Sequence, residues 1–180
     1  MSEVLVVAEH VDSHLAKPAL ELLTLARRLG EPVAVVFGDT DDTIAKALGE
    51  YGATRVLSVN DTAIDDYLVA PKAEALAQIA ETVQPAAILI TSSPEGKEIA
   101  GRLAVKLGSG LITDATDVAA DGSTTQSVFA GNWTVTAAVT HRAPVITVKP
   151  NAVTPEAAPT EPAAEQIGRA SCRERVYDDV

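Results

Sequence analysis

Apolar and polar positions along the chain follow two alternating patterns. Short, nearly unbroken apolar runs predict strands covered on both faces; they lie at residues 3–8, 32–37, 55–59 and 86–91. Apolar residues at helical spacing predict the helices between and after them, at residues 18–29, 41–48, 71–83 and 94–107. Strands that alternate with helices need right-handed crossovers. The pattern therefore predicts an α/β fold, a Rossmann-like three-layer domain with a mainly parallel sheet.

The rhythm changes in the second half of the chain. Four strand-like runs with only turns between them occupy residues 115–119, 125–129, 133–139 and 145–148. Asp121-Gly122 and Gly131-Asn132 are typical turn pairs between such runs. We expect this portion to extend the sheet with antiparallel strands near the C-terminal end.

The composition shifts again at Lys149. Residues 149–166 are rich in Pro, Ala, Thr and Glu, which predicts a semi-extended, mobile linker after a domain at 1–148. Residues 167–180 hold the single cysteine, Cys172, and residues 167–176 resemble a translated sequencing-library adapter. We expect this tail to be non-native. The alternative is a native basic tail that carries a reactive thiol.

Composition excludes several classes of function. The 180 residues are 47% hydrophobic and 3% aromatic, and their net charge of −11 opposes nucleic-acid binding. No apolar run suits membrane insertion and residues 1–30 lack the features of a signal peptide, so we expect a cytoplasmic protein. Residues 1–148 contain no cysteine, which excludes disulfides and thiolate metal sites there.

The turn after the fourth predicted strand offers candidate binding residues. Helix N-termini at the carboxyl ends of parallel strands suit anions, and the candidates for an anion or nucleotide are Ser92, Ser93, Gly96 and Lys97. The turn is not a Walker loop, and no Gly-x-Gly-x-x-Gly follows any strand. The competing interpretation is that Ser92 or Ser93 caps the helix while Lys97 is solvated.

Other polar residues favour structural roles. Arg102 is placed to pair with Glu98 four residues earlier on a helix surface. Asp114 and Asp117 suit loop solubility better than acid–base or cation chemistry, because no histidine is near in sequence and no third acid stands at ligand spacing. Surface positions are likewise expected for the histidines, which all fall in predicted loops: His10, His14 and His141. We predict no catalytic constellation and no metal site.

Several stretches in order resemble the electron-transfer flavoprotein alpha family. They are Val4–His10, Tyr67–Pro71, Gly96–Ala104, Gly108–Ala115 and Pro144–Val148. No single stretch is diagnostic, but their order and spacing together are specific. The resemblance runs from Met1 to about Val148 and corresponds to the N-terminal domain of the alpha subunit.

The resemblance implies a role for the chain within a larger protein. The family's alpha subunit docks a beta subunit to form a heterodimer, and its C-terminal domain holds FAD. That domain's Gly-Ile-Ser-Gly-Ala-Ile-Gln-His stretch is missing here, so no FAD contact can be assigned. We expect FAD in the full-length parent and none bound by this chain alone.

The parent protein is expected to be an electron carrier rather than an enzyme. It would carry electrons from dehydrogenases, such as the acyl-CoA dehydrogenases of fatty acid β-oxidation, to the respiratory chain. The alternative, based on the same β-α rhythm and the turn at 91–97, is a stand-alone adenine-nucleotide-binding module of the stress-protein type.

Overall fold

A computed structural model describes residues 2–11, 14–38 and 40–168, and within these ranges the chain forms eleven strands and five helices. The strands are β1 (Glu3–Val7), β2 (His10–Val11), β3 (His14–Leu15), β4 (Glu31–Phe37), β5 (Arg55–Asn60), β6 (Ala87–Thr91), β7 (Leu111–Val118), β8 (Thr124–Val128), β9 (Trp133–Ala137), β10 (Val145–Val148) and β11 (Ala163–Gly168). The helices are α1 (Lys17–Leu29), α2 (Asp42–Glu50), α3 (Thr62–Asp66), α4 (Ala70–Val83) and α5 (Pro94–Leu107).

One mixed sheet organises the described residues. Its order is β11-β5-β4-β1-β6-β10-β7-β8-β9, and every pair from β11 to β7 is parallel. The last two pairs, β7 with β8 and β8 with β9, are antiparallel. The predicted three-layer α/β fold with a mainly parallel sheet is confirmed.

Alternate side chains of each central strand enter different cores. Val4 and Val6 of β1 pack in the core that contains residues of α1 and α2. Leu5 and Val7 pack in the opposite core, which contains residues of α4 and α5. Because both faces of the strand are covered, its sequence is an apolar run rather than an alternation. No helix in the described part of the chain is long and apolar enough to cross a membrane.

The antiparallel prediction is confirmed for the pairs of β7, β8 and β9 but is wrong for β10. β10 lies between β6 and β7 and is parallel to both, with Val145 opposite Ile88 on one side and Leu111 on the other. After β9 the chain returns to the end of the sheet at which β6 and β7 begin. β10 therefore runs parallel to these two strands. β7 also begins at Leu111, four residues before the predicted start at Ala115.

The segment after β10 differs from the predicted mobile linker. Residues 149–162, here called the strap, cross the surface of α1 and α2. The N–H groups of Ala158 and Thr160 donate to the carbonyls of Glu50 and Gly49, each at 2.9 Å. Helix ends leave carbonyls without intrahelical partners, and the strap supplies donors to them. Residues 163–168 then form β11 beside β5. The domain boundary at 148/149 stays a prediction, and Cys172 lies outside the described residues.

Candidate functional site

The carboxyl ends of the central parallel strands form the edge where open α/β sheets bind ligands. Two groups of polar side chains lie there. The first, here called the turn cluster, consists of Ser92, Lys97, Asp114 and Thr147. The second, here called the acidic crevice, lies between the ends of β1, β4 and β6 and contains Glu9, Phe37, Lys72 and Glu95.

The turn after β6 is built around a capped helix. The Oγ of Ser93 accepts the N–H of Gly96 at 2.9 Å, which confirms the predicted serine cap of α5. A Cβ atom on Gly96 would lie 2.0 Å from the carbonyl oxygen of Thr91. Gly96 therefore allows α5 to start directly against the end of β6. Its N–H is already bonded, so the glycine serves packing in this turn.

Hydrogen bonds connect the members of the turn cluster in a closed chain. The Thr147 hydroxyl donates to Ser92 Oγ at 3.1 Å, and Ser92 donates to Asp114 Oδ1 at 2.7 Å. The Asp114 N–H donates back to Thr147 Oγ1 at 3.1 Å. Lys97 Nζ completes the cluster 2.9 Å from the Asp114 carboxylate. Asp114 has φ of +59°, a left-handed conformation that Asp tolerates better than most residues.

The turn cluster is electrostatically satisfied. The hydrogen bond from Lys97 is the main cause that holds the pKa of Asp114 below its ordinary value, and the hydrogen bond from Ser92 acts in the same direction. Lys97 therefore forms an ion pair with the Asp114 carboxylate, instead of being a free solvated cation. The structure brings the four predicted candidates Ser92, Ser93, Gly96 and Lys97 into one turn, and their role in binding an anion stays a prediction.

The acidic crevice has a volume of about 330 Å³. Burial raises the pKa of the Glu9 carboxyl, and the nearby charge of Glu95 raises this pKa further. Lys72 Nζ lies 2.5 Å from Glu95 Oε1 and 5.9 Å from the centre of the Phe37 ring. One ammonium thus faces two carboxylates in this crevice.

The residues at this edge fit a flavin or nucleotide phosphate poorly. The crevice lies where a doubly wound sheet would hold a pyrophosphate, and two carboxylates line it. Lys97, the cation of the neighbouring turn, is already paired with Asp114. No Gly-rich loop follows a strand of the sequence. The residues that line this edge therefore do not fit the pyrophosphate of FAD.

Two polar residues with predicted surface roles, Arg102 and Asp117, form ion pairs. Arg102 binds Glu98 through Nε at 3.1 Å and a terminal nitrogen at 2.8 Å, which confirms the predicted pair. Asp117 accepts a hydrogen bond from Arg28 of α1 at 2.7 Å. This acid therefore anchors β7 to a helix, a long-range contact that sequence spacing does not reveal.

The three histidines lie outside the nine-stranded sheet. His10 and His14 were expected in a loop, but they lie in the antiparallel β2–β3 pair. His10 Nε2 is 3.1 Å from the carbonyl oxygen of Phe37. His141 lies outside the helices and strands and is exposed. Among residues 2–11, 14–38 and 40–168, no group of three or more His, Cys, Asp or Glu residues is placed to hold a metal ion.

Comparison with protein families identifies the chain's relatives. The electron transfer flavoprotein domain model matches residues 4–171. The chain belongs to the electron transfer flavoprotein family. The electron transfer flavoprotein subunit alpha of Mycobacterium tuberculosis is 44% identical over 169 residues, which is 93% of this chain and 52% of the relative. The subunit alpha of Mycobacterium leprae is 43% identical over the same shares.

The similarity extends to more distant organisms. The probable mitochondrial electron transfer flavoprotein subunit alpha of Caenorhabditis elegans is 32% identical over 134 residues, which is 73% of this chain and 40% of the relative.

 The chain spans about half the length of the curated mycobacterial relatives that it matches. The family match ends at residue 171 and so includes residues 167–171 of the tail that is predicted to be non-native.

Proposed function

We propose that the chain is the partner-docking N-terminal domain of an electron transfer flavoprotein alpha subunit. In this proposal the complete protein carries electrons from dehydrogenases, such as acyl-CoA dehydrogenases, to the respiratory chain. The chain contributes a folded docking body and no catalytic group, and the assembly works in the cytoplasm.

The observation that carries the proposal is the 44% identity to a protein named subunit alpha over 93% of the chain. The family match to residues 4–171 includes both helical layers and the sheet edges. The lysines of the turn cluster and the acidic crevice support the same proposal, because Lys97 is paired with Asp114 and Lys72 with Glu95.

FAD belongs, in this proposal, to the part of the alpha subunit that lies beyond the matched half of the relatives. The two carboxylates of the acidic crevice are the physical argument, because they would repel a pyrophosphate. We expect the purified chain to be colourless after dialysis against buffer, and flavin absorbance retained in stoichiometric amount would contradict this.

The alternative, a stand-alone adenine-nucleotide-binding module, is opposed by the same crevice. Calorimetric titration with AMP and with ATP separates the two hypotheses. We expect no binding tighter than roughly 10 μM, since such affinity needs about −7 kcal/mol from a formed site.

The direct test is binding to the beta subunit encoded in the same genome. The chain and this beta subunit are mixed at equal concentrations and separated by size-exclusion chromatography. We expect a stable complex of one copy of each, because permanent subunit interfaces bury on the order of 2,000 Å² or more. Separate elution of the two proteins at micromolar concentration would refute the proposal.

A further inference from the structure

The turn between β7 and β8 contains the one Asp-Gly pair of the sequence, Asp121-Gly122, and no Asn-Gly pair occurs in the 180 residues. Asp121 is exposed in this turn. The backbone nitrogen of the residue that follows an Asp can attack the carboxyl carbon of that Asp, and a side chain on the following residue hinders the approach. Gly122 has no side chain, so this pair is suited to the reaction.

The turn leaves room for such an attack. Gly122 has φ of +82°, a conformation that glycine adopts without steric cost. A Cβ atom added to Gly122 would meet no atom within 4 Å. Exposed loop tips with small or polar residues are also where a domain best tolerates change in its backbone. A small ring can therefore form here without displacing packed neighbours.

Hydrogen bonds hold the Asp121 carboxyl against the backbone that follows it. Its Oδ1 accepts the Ser123 N–H at 3.0 Å and the Ser123 hydroxyl at 2.7 Å. An Asp that accepts the N–H two residues later forms an Asx turn, which folds the carboxyl back over the intervening peptide group. The Gly122 N–H donates to the Ala119 carbonyl at 3.0 Å. That N–H lies in the peptide plane, so the faces of the nitrogen stay open to the carboxyl carbon.

The same hydrogen bonds limit the rate of reaction. The hydrogen bond from the Ser123 side chain, followed by the one from its backbone, holds the pKa of Asp121 below its ordinary value. Ring closure expels water most readily from a neutral carboxyl, whereas Asp121 is ionised at pH 7. We therefore expect the product to accumulate slowly.

Two other acids, both in β7, lack these features. Asp114 precedes an alanine and Asp117 a valine, and both lie within a strand that has a neighbour on each side. Their carboxylates are paired with Lys97 and Arg28. Asp114 and Asp117 are therefore internal controls for the reactivity of Asp121.

We propose that Asp121 isomerises spontaneously to isoaspartate through a succinimide formed with Gly122. The Gly122 nitrogen bonds to the Asp121 carboxyl carbon and loses its proton, and the hydroxyl of the protonated carboxyl leaves with that proton as water. Water then adds to one of the two ring carbonyls and breaks its bond to the nitrogen. Opening at the side-chain carbonyl restores aspartate, and opening at the main-chain carbonyl gives isoaspartate of the same mass. The inference goes beyond the proposed function and does not rest on it.

The isomer changes the geometry of the hairpin. Its main chain runs through Cβ and Cγ of residue 121, which lengthens the turn by one atom. Val118 and Thr124 are paired across this turn, and the buried Thr124 donates its hydroxyl to the Ala137 carbonyl of β9 at 3.0 Å. Turn geometry sets the register of a hairpin. We therefore expect isomerisation to loosen the antiparallel half of the sheet and to leave the parallel half unchanged.

Oxygen-18 water measures the reaction directly. The full 180-residue chain is incubated at pH 7 in H₂¹⁸O and digested in ordinary water, and fragment masses locate the label. Each ring opening adds one oxygen from water, so we expect ¹⁸O and isoaspartate to accumulate at Asp121 and neither to accumulate at Asp114 or Asp117. A synthetic peptide of residues 118–126, incubated in parallel, shows when the unfolded sequence has reacted. Absence of label from Asp121 at that time, or equal label at Asp114 or Asp117, would overturn the inference.

Asp121→Glu is the matched variant. It keeps the charge of the turn, but the same attack would need a six-membered ring, which closes more slowly. We expect little or no label at position 121 in this variant over the same incubation. Equal labelling of the variant and of the unmodified chain at this position would mean that the oxygen enters by another reaction, and the inference would then be wrong.

Hydrogen exchange tests the structural consequence. The isomerised fraction is separated by ion-exchange chromatography and compared with the unmodified chain. We expect faster exchange at the Ala119 amide, which donates to the Ser123 carbonyl across the turn at 2.8 Å. The control is the Ile88 amide, which donates to the Pro144 carbonyl at 2.9 Å in the parallel half and should not change. Unchanged exchange at Ala119, or equal acceleration at both amides, would overturn the predicted local loosening.

Discussion

Substitution of Gly49 tests whether the strap is a fixed part of the domain. Gly49 lies near the end of α2, where the strap approaches most closely. A Cβ atom at this position would be 2.6 Å from Pro162 Cδ and 2.7 Å from the carbonyl oxygen of Thr160. Non-bonded carbon atoms prefer separations of about 3.5–4.0 Å. Gly49→Ala therefore requires the strap to move away from the helix.

Two opposing effects determine how much Gly49→Ala changes the free energy of unfolding. Replacing Gly by Ala within a helix stabilises it by about 1 kcal/mol. Movement of the strap threatens hydrogen bonds from the Thr160 N–H to Gly49 at 2.9 Å, from the Thr160 hydroxyl to Ala53 at 2.5 Å and from the Ala158 N–H to Glu50 at 2.9 Å. At about 1 kcal/mol each, their loss exceeds the helical gain, and we expect a net destabilisation of about 2 kcal/mol.

Gly101→Ala is the matched control. Gly101 lies within α5, and no atom would come within 4 Å of a Cβ added there. Urea unfolding at pH 7 should show Gly101→Ala to be about 1 kcal/mol more stable than the unmodified chain and Gly49→Ala less stable. Hydrogen exchange at the amides of Ala158 and Thr160 should accelerate in Gly49→Ala alone. Equal stabilisation by both substitutions, with unchanged exchange, would refute the packed strap.

Three further substitutions test charged groups by urea unfolding. Asp114→Asn should lower the free energy of unfolding by about 0.2–1 kcal/mol at pH 7, as expected for loss of an exposed ion pair with Lys97. Because the folded-state pKa of Asp114 is lowered, the difference in stability from the unmodified chain should vanish as pH falls below 3.8. A pH-independent difference would contradict the pairing. Glu9→Gln should be more stable than the unmodified chain at pH 7, since the pKa of Glu9 is raised by burial. This gain in stability should shrink as pH falls through the folded-state pKa towards 4.5. A gain that does not change with pH would contradict the burial effect. Glu21→Leu should cost about 1–3 kcal/mol, because the Asn151 N–H donates to this buried carboxylate at 2.8 Å, and unchanged stability would show that the contact contributes little.

The local pattern predicts the parallel half of the sheet well because burial on both faces constrains each residue there. β1 and β6 are apolar runs, and both are covered by helices on either side. The serine cap of α5 is also predictable, since capping depends on residues a few positions apart. These features are encoded within short windows of sequence.

Long-range pairings are what the pattern does not predict. The insertion of β10 between β6 and β7 depends on where the chain returns after β9, and the sequence of β10 is equally apolar in either direction. The turn cluster joins Asp114 to Thr147, 33 residues later, through one hydrogen bond. The strap is similar, because its Pro- and Ala-rich composition indicates a linker while its contacts are made by backbone groups.

Gly49 illustrates the same difference between local and distant causes. The predicted helix ends at residue 48, just before this glycine, yet α2 continues to Glu50. The absence of a side chain is explained instead by Thr160 and Pro162, which lie more than a hundred residues away in sequence. Glycine here serves close approach of two segments rather than helix termination.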